Sequence, residues 1–407
     1  VRTTTRLAAA VAVLALTATA CSTKGSSADG AVGKDGVKTG PGVTDSTITM
    51  AALTDLTGPY ASLGKSIVNA QQLWVDQTNA TGGICGRKLR IVVKDHGYDV
   101  QKAVTAFTEV EPDAALLTQV IGSPVVAAIK QDLNGKHLLA LPMAWASTML
   151  GQPYIQVVGS TYDVDMITGV DFLTRKAGLV AGDRIGHVYF EGEYGENALA
   201  GSKSAATKGG LTLVEQKIKP TDQDLTAQVS ALREAGVKAV LISAGPKQTA
   251  ALVGAAAGQG LAVPVLSSAP GFAPQLLDTA VGAALERQLY VVSAISPVSA
   301  EVSAMRQLVQ DYQAKYPGAP VDSGVASGWS AAQVAAEALS AACAAKDLTR
   351  EGIAAAHRKT TALNILGVPM NFSDVAKAPT RQAYILKPAK GVTGGLATVE
   401  GAHEVKG

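Results

Sequence analysis

The sequence has little charge, few aromatics and almost no cysteine, and each shortage excludes something. Charged residues make up 17% of 407, and 35 Lys and Arg against 33 Asp and Glu leave a net charge of +2. That balance excludes a nucleic-acid partner and a polybasic membrane surface, both of which need a concentrated basic face. The five histidines, His96, His137, His187, His357 and His403, are scattered, and none stands four residues from another as a helical zinc pair would. Catalytic signatures are missing too. Gly328-Trp329-Ser330-Ala331-Ala332 lacks the closing glycine of a nucleophile elbow. The glycine-rich stretch Gly254 to Gly260 lies within a helical pattern and not after a strand, so it is no dinucleotide loop. Phosphate-loop spacing is absent. No enzyme activity, cofactor or metal is therefore expected. After the first twenty residues, no apolar run approaches the length of a membrane span.

What is present begins at the N-terminus. Arg2 and Arg6 precede the apolar run Leu7 to Leu16, and Thr17 to Ala20 then lead to Cys21. A basic start, a short apolar core and small residues describe a secretory signal over 1–20, too short at roughly 10 apolar residues to span a bilayer. Cys21 stands where a bacterial lipoprotein signal places its lipidated cysteine, although Ala18 occupies a position where Leu is usual; a plain secreted protein is the alternative. Residues 21–46 are rich in Gly and Ser and offer little to bury, which predicts a flexible tether after the lipidated cysteine. An oxidising compartment leaves Cys85 and Cys343 as an even pair, too few for a tetrahedral thiolate metal site.

The remaining body, roughly 360 residues, suffices for two lobes with separate cores. Ile48 to Thr54 reads as a strand that stops at the polar loop Thr54 to Pro59 and delivers a helix through Tyr60 to Thr81. In an open parallel sheet, ligands settle beyond the carboxyl ends of the strands, so this loop would wall a pocket. Gly64 would let a backbone or a ligand come close. Strands at Lys88 to Lys94, Ala114 to Val120 and Leu138 to Pro142 alternate with helices at Gln101 to Val110 and Pro124 to Leu133. A second unit repeats the rhythm from a helix at Asp163 to Lys176 to a strand at Val263 to Ser267. The last hundred residues add helices at Ser299 to Lys315, Ser330 to Ala345 and Arg350 to Lys359, then strands near Asn364 to Asn371 and Gln382 to Leu386. The class is α/β with parallel sheets.

Several stretches, taken in order, resemble the leucine-binding family of ABC-transporter solute receptors, with the type I periplasmic-binding-protein fold. They are Thr57-Gly58-Pro59-Tyr60-Ala61, Asn79-Ala80-Thr81-Gly82-Gly83-Ile84, Gly86-Arg87-Lys88, Tyr194-Gly195-Glu196 and Gly328-Trp329-Ser330-Ala331-Ala332. The resemblance implies two Rossmann-like lobes joined by three crossover strands near Val157 to Thr161, Val292 to Ser296 and Leu366 to Val368. The N-terminal lobe would then comprise 47–160 plus 297–365, and the C-terminal lobe 161–296 plus 366–407. It further implies capture of a small ligand by hinge closure, foremost a branched-chain or other neutral amino acid, by a monomer anchored outside the membrane through Cys21. Permease and ATPase subunits would be its partners. A receptor of the same fold for an amide, a urea-like molecule or an aromatic acid is the alternative, as is a sensory module without a permease. The family topology returns the late helix to the N-terminal lobe and so implies a Cys85–Cys343 disulfide.

Site residues follow from the same resemblance. Thr57, Gly58 and Tyr60 form the first loop. The family's carboxylate loop falls at Ile121-Gly122-Ser123, where a helix N-terminus offers free N–H groups; Ser123 either binds the ligand or only caps its helix. On the next loop, at Ala144 and Trp145, the Trp replaces a customary Thr and either meets the ligand or fills the wall. Tyr194 faces them from the second lobe. Pro270 and Phe272 stand where amino-acid receptors commonly place an acidic residue against an ammonium group, leaving Glu193 or Glu191 as substitutes. The expected anchor is directly testable: a Cys21→Ser variant should move from the membrane fraction to the soluble fraction, and one that still sediments with membranes places the anchor elsewhere.

Overall fold

Two sheets, each buried between helices, divide residues 31–404, the part of the chain that this computed structural model describes. In the first sheet Thr47–Thr54 lies between Lys88–Asp95 and Leu117–Val120, all parallel. Single backbone bridges carry it on from Leu117 to Ala140 and from Ala140 to Ile155. Every residue of the central strand after Thr47 is buried, as expected of a parallel strand covered on both faces. The second sheet has seven strands. Five run parallel, in the order Thr212–Ile218, Arg184–Phe190, Ala239–Ser243, Val265–Ser268 and Leu289–Ser293. Ala383–Pro388 and Leu396–His403 then close that edge antiparallel. Most of Leu396–His403 is not buried, which leaves little of the apolar pattern by which a strand is recognised.

Helix Ala61–Ala80 packs along helix Ser323–Ala344 at close quarters. A Cβ on Gly324 would lie 2.7 Å from the Leu63 carbonyl, and one on Gly328 would lie 2.5 Å from that of Ile67, so only glycine permits the approach. This late helix starts seven residues before the expected Ser330. Asp322 caps it by accepting from Gly324 N at 2.9 Å, while Gly324, Ser327 and Gly328, poor helix formers, conceal the start in the sequence. At its far end Cys343 is bonded to Cys85, across 258 residues of sequence.

The structure revises two of the expected boundaries. The tether does not extend to residue 46. Ala31–Val32 pairs with Lys38–Thr39, which pairs with Asp347–Leu348, making a small three-stranded sheet on the first lobe. Val37 and Val43 are buried, and the buried Arg87 guanidinium donates to Asp35 and to the Thr44 carbonyl, each at 2.7 Å. A few pairings and one arginine thus hold a segment whose composition promises nothing. The expected signal sequence and Cys21 lie outside the described residues.

The third crossing also moves. Leu366 and Gly367, at φ 51° and 90°, form a two-residue turn joining Leu363–Ile365 to Val368–Met370 as an antiparallel hairpin, where one strand is expected. Turns of this kind favour Asn-Gly, and a Leu at positive φ hides the signal. Ile365, Val368, Met370 and Phe372 pack with Val298 and Met305 in the first lobe. Asn371 N still bonds the Pro379 carbonyl at 3.0 Å, so the chain leaves this lobe only around Thr380, on its way to Ala383–Pro388. The other two passages between the sheets run through Val157–Thr161 and Ser293–Ser296.

Because the disulfide closes so long a loop, replacing both cysteines (Cys85→Ser with Cys343→Ser) should lower the stability of the first lobe by about 2–4 kcal/mol. Denaturant unfolding of the oxidised parent and the double variant measures it; superimposable curves would show that the bond contributes nothing.

Candidate ligand-binding site

The loop Thr54 to Tyr60 is held from beneath by Asp55. One carboxylate oxygen accepts from Thr57 N at 3.2 Å and Gly58 N at 2.5 Å, and the other from Tyr60 N at 2.9 Å. A Cβ on Gly64 would lie 1.9 Å from the Asp55 carbonyl, so the close approach permitted there is by backbone. From this loop Tyr60 enters the cleft between the lobes. Tyr98 joins it from the end of the neighbouring strand, the two rings 5.0 Å apart. Gly122 is glycine for a reason: a Cβ there would meet the Tyr98 ring at 2.6 Å, and its own φ is 99°. Directly after it, Ser123 opens helix Ser123–Gly135 with its hydroxyl buried and without a hydrogen-bond partner. The Tyr60 hydroxyl, with the Tyr98 phenol close by, is likewise buried and outside hydrogen-bond geometry.

The hinge and the second lobe complete the enclosure. Trp145 Nε1 donates to the Val158 carbonyl on the first crossing at 2.8 Å, and its ring meets Tyr162 edge-on at 5.9 Å. Tyr162 packs on Tyr194, centroids 4.4 Å apart, and the Tyr194 hydroxyl bonds Ser268 at 2.5 Å. Burial holds all four phenols, Tyr60, Tyr98, Tyr162 and Tyr194, above their ordinary range, so they are neutral donors. Apolar side chains such as Leu63, Ile67, Ile121, Met143 and Ile295 fill much of the remaining wall. Ser323 and Ser327 come from the first turns of helix Ser323–Ala344, so a second helix N-terminus borders the cleft. The space measures about 780 Å³, its mouth included.

Among the lining residues there is no Lys or Arg, and the one carboxyl is Asp165. Asp165 is buried, hydrogen-bonded by the Ser160 hydroxyl, and pushed up to about 7 by that burial. At the mouth the lobes touch. Ser147 N and Oγ bond Asn197 at 3.2 and 2.6 Å, Thr148 donates to Glu193 at 2.5 Å, and Gln275 donates to Ser62 at 3.0 Å.

Of the residues singled out from the sequence, Tyr60, Ser123, Trp145, Tyr194 and Pro270 line the cleft. The others lie elsewhere. The Thr57 hydroxyl donates to Asp95 at 2.9 Å, and Gly58 is pressed against the Gly97 carbonyl, so both shape the loop. Ala144 and Phe272 are buried in the core behind the wall. Glu193 joins the lobes at the rim and Glu191 is exposed, so neither places a charge in the cleft. Sequence reasoning misses Tyr98, Ser160, Tyr162, Asp165, Ser323 and Ser327. Tyr162 and Asp165 directly follow the crossing at Val157 to Thr161, and that position was the available signal; the concealed helix start hid the two serines.

Two lobes meeting around such a cleft define the class of two-lobed solute-binding proteins. The sequence profile of the family described as "Periplasmic binding protein" matches residues 47–392, and the chain belongs to that family, in its leucine-binding branch of ABC-transporter substrate-binding proteins. A fatty acid ABC transporter substrate-binding protein from Thermomonospora curvata is 48% identical, over 92% of this chain and 97% of that one, with a TM-score of 0.91. A branched-chain amino acid ABC transporter protein from Thermus thermophilus with bound valine shares the fold at 19% identity and a TM-score of 0.78, over 88% of this chain and 96% of that one. Leu/Ile/Val-binding protein homolog 3 of Brucella melitensis is 25% identical over 201 residues, 47% of this chain and 53% of that one. The chain thus spans about half the length of the curated relatives it matches.

Asp165 also gives the fold a pH signature. A carboxyl whose pKa is raised on folding favours the folded state below its unfolded value near 4, and that contribution fades as pH climbs through about 7. An Asp165→Asn variant lacks this loss, so its melting temperature relative to the parent should rise between pH 5 and pH 8, by the equivalent of about 2–4 kcal/mol at most. Comparing the pair cancels Asp322, His187 and His357, which also titrate away from their ordinary ranges. A difference that does not vary with pH would place an ordinary carboxylate there.

Proposed function

We propose that the cleft captures a carboxylic acid with a long apolar body, foremost a fatty acid, and that the closed receptor delivers it to the permease and ATPase of an ABC importer. The observation that carries this reading is that the one carboxyl of the lining, Asp165, is already engaged by Ser160, which leaves no free carboxylate to meet an ammonium group. A free α-amino acid brings an ammonium group, and burying it without a charged partner is costly. A carboxylic acid needs donors only. Ser123 Oγ and Tyr60 Oη are buried donors without partners, at or beside a helix N-terminus whose N–H groups favour an anion. Tyrosine faces and aliphatic side chains suit the rest of the molecule. The Thermomonospora protein, described as a fatty-acid receptor, supports the same choice.

A branched-chain amino acid is the reading favoured by the Leu/Ile/Val-binding relatives, and Asp165 is the cleft carboxylate it would require. Both readings place the protein outside the cytoplasm as a binding component and not an enzyme, with Cys21 as the proposed lipid attachment. Calorimetry with hexadecanoate, leucine and valine separates them. Hexadecanoate should bind the parent, and Ser123→Ala should weaken it by about 0.5–1.5 kcal/mol, the net worth of one hydrogen bond. Asp165→Asn should leave it in place. Tight leucine or valine binding that Asp165→Asn abolishes would overturn the fatty-acid reading.

A further inference from the structure

We propose that the distal alkyl chain of the ligand occupies a second, narrower cavity beneath the hinge, so that chain length is read there. The inference rests on the fatty-acid reading of the main cleft. The second cavity measures about 370 Å³, its opening included, and shares Ala269, Ser293, Ile295 and Ser323 with the cleft, so the two are neighbours across one set of side chains. Beyond them its walls are mostly apolar: Val291, Val298, Leu386 and Leu396, with Pro297 and Gly394. Ser293 Oγ is committed to the Ile295 carbonyl at 2.8 Å, and the Ser296 hydroxyl is buried without a partner.

Such a space suits hydrocarbon. Its side-chain polar atoms are confined to three serine hydroxyls, one of them committed at Ser293, and each methylene placed there gains by leaving solvent. Polar and apolar features are also arranged in the order a fatty acid needs. The donors at Ser123 and Tyr60 belong to the first lobe, whereas this cavity lies among the second crossing and the strands Ala383–Pro388 and Leu396–His403. An amino acid would end before reaching it.

Ser296 lies outside the main cleft lining and gives access to the cavity from both directions. Calorimetry with octanoate and hexadecanoate, alongside a melting curve for each variant, tests the assignment. Ser296→Leu fills the space and should weaken hexadecanoate tenfold or more while leaving octanoate within twofold. Ser296→Ala removes the orphan hydroxyl at little risk to folding and should tighten hexadecanoate threefold or more, again without moving octanoate. If both variants change the two acids equally, or a folded Ser296→Leu binds hexadecanoate as the parent does, the tail lies elsewhere and this inference falls alone. If Ser296→Leu does not fold, the Ser296→Ala result decides. A parent that binds neither acid overturns the fatty-acid reading and this inference together.

Discussion

The carboxylate of Asp55 is the constraint on which the cleft depends. It is fully buried at the end of the central strand, and its two oxygens gather the N–H groups of Thr57, Gly58 and Tyr60. Without it the strand would end in a loop of unsatisfied donors, and nothing would fix the start of helix Ala61–Ala80. Asp95 repeats the device one strand away, accepting from Leu56 N, Gly97 N and the Thr57 hydroxyl. Desolvation works against its ionised form, but those bonds outweigh it and hold the carboxyl below its usual range. Two acids at the ends of adjacent parallel strands therefore set the positions of two tyrosines, Tyr60 and Tyr98. Trp145 of the same lobe, with further tyrosines from the hinge and the opposite lobe, completes the wall.

A wall of neutral phenols, serine hydroxyls and helix N-termini differs in kind from one built on ion pairs. Each tyrosine offers an apolar face and one donor, and the helix ends contribute only partial charge. Affinity in such a site comes mainly from the area the ligand removes from water, at about 25 cal/mol per Å² of apolar surface. Direction comes from the few donors. The polar contacts that join the lobes, Ser147 with Asn197 and Thr148 with Glu193, sit at the mouth, away from that surface.

Much of the fold was legible because it is written in strong local periodicity. Ala239–Ser243 and helix Pro246–Gly258 declare themselves, and so does the central strand. The legible part of the site lay next to turn chemistry: Tyr60 after Gly-Pro, and Ser123 after a glycine that Tyr98 requires. What stayed hidden depended on long-range partners. Arg87 orders residues 31–46 from more than forty positions away, and the tight turn at Leu366 and Gly367 lacks the residues such a turn prefers. Asp165 looked like any acid in the first turn of a helix, and only its depth beside Ser160 sets it apart. The expectation of a charge at Glu193 failed because the rim of the cleft, and not its interior, is where that helix begins.

The small sheet that receives Ala31 and Val32 has a geometric corollary for the lipid attachment proposed at Cys21. Ten peptide steps separate Cys21 from Ala31, and a fully extended chain of that length reaches roughly 35 Å. The point of attachment is an edge of the first lobe beside Asp347–Leu348, stapled close by through Cys85 and Cys343. With that proposed attachment, such a body would hang on a short leash fixed to one lobe. That lobe would stay near the bilayer while the other swings, and the arc available to the swinging lobe would decide how the mouth of the cleft is presented to a partner embedded below.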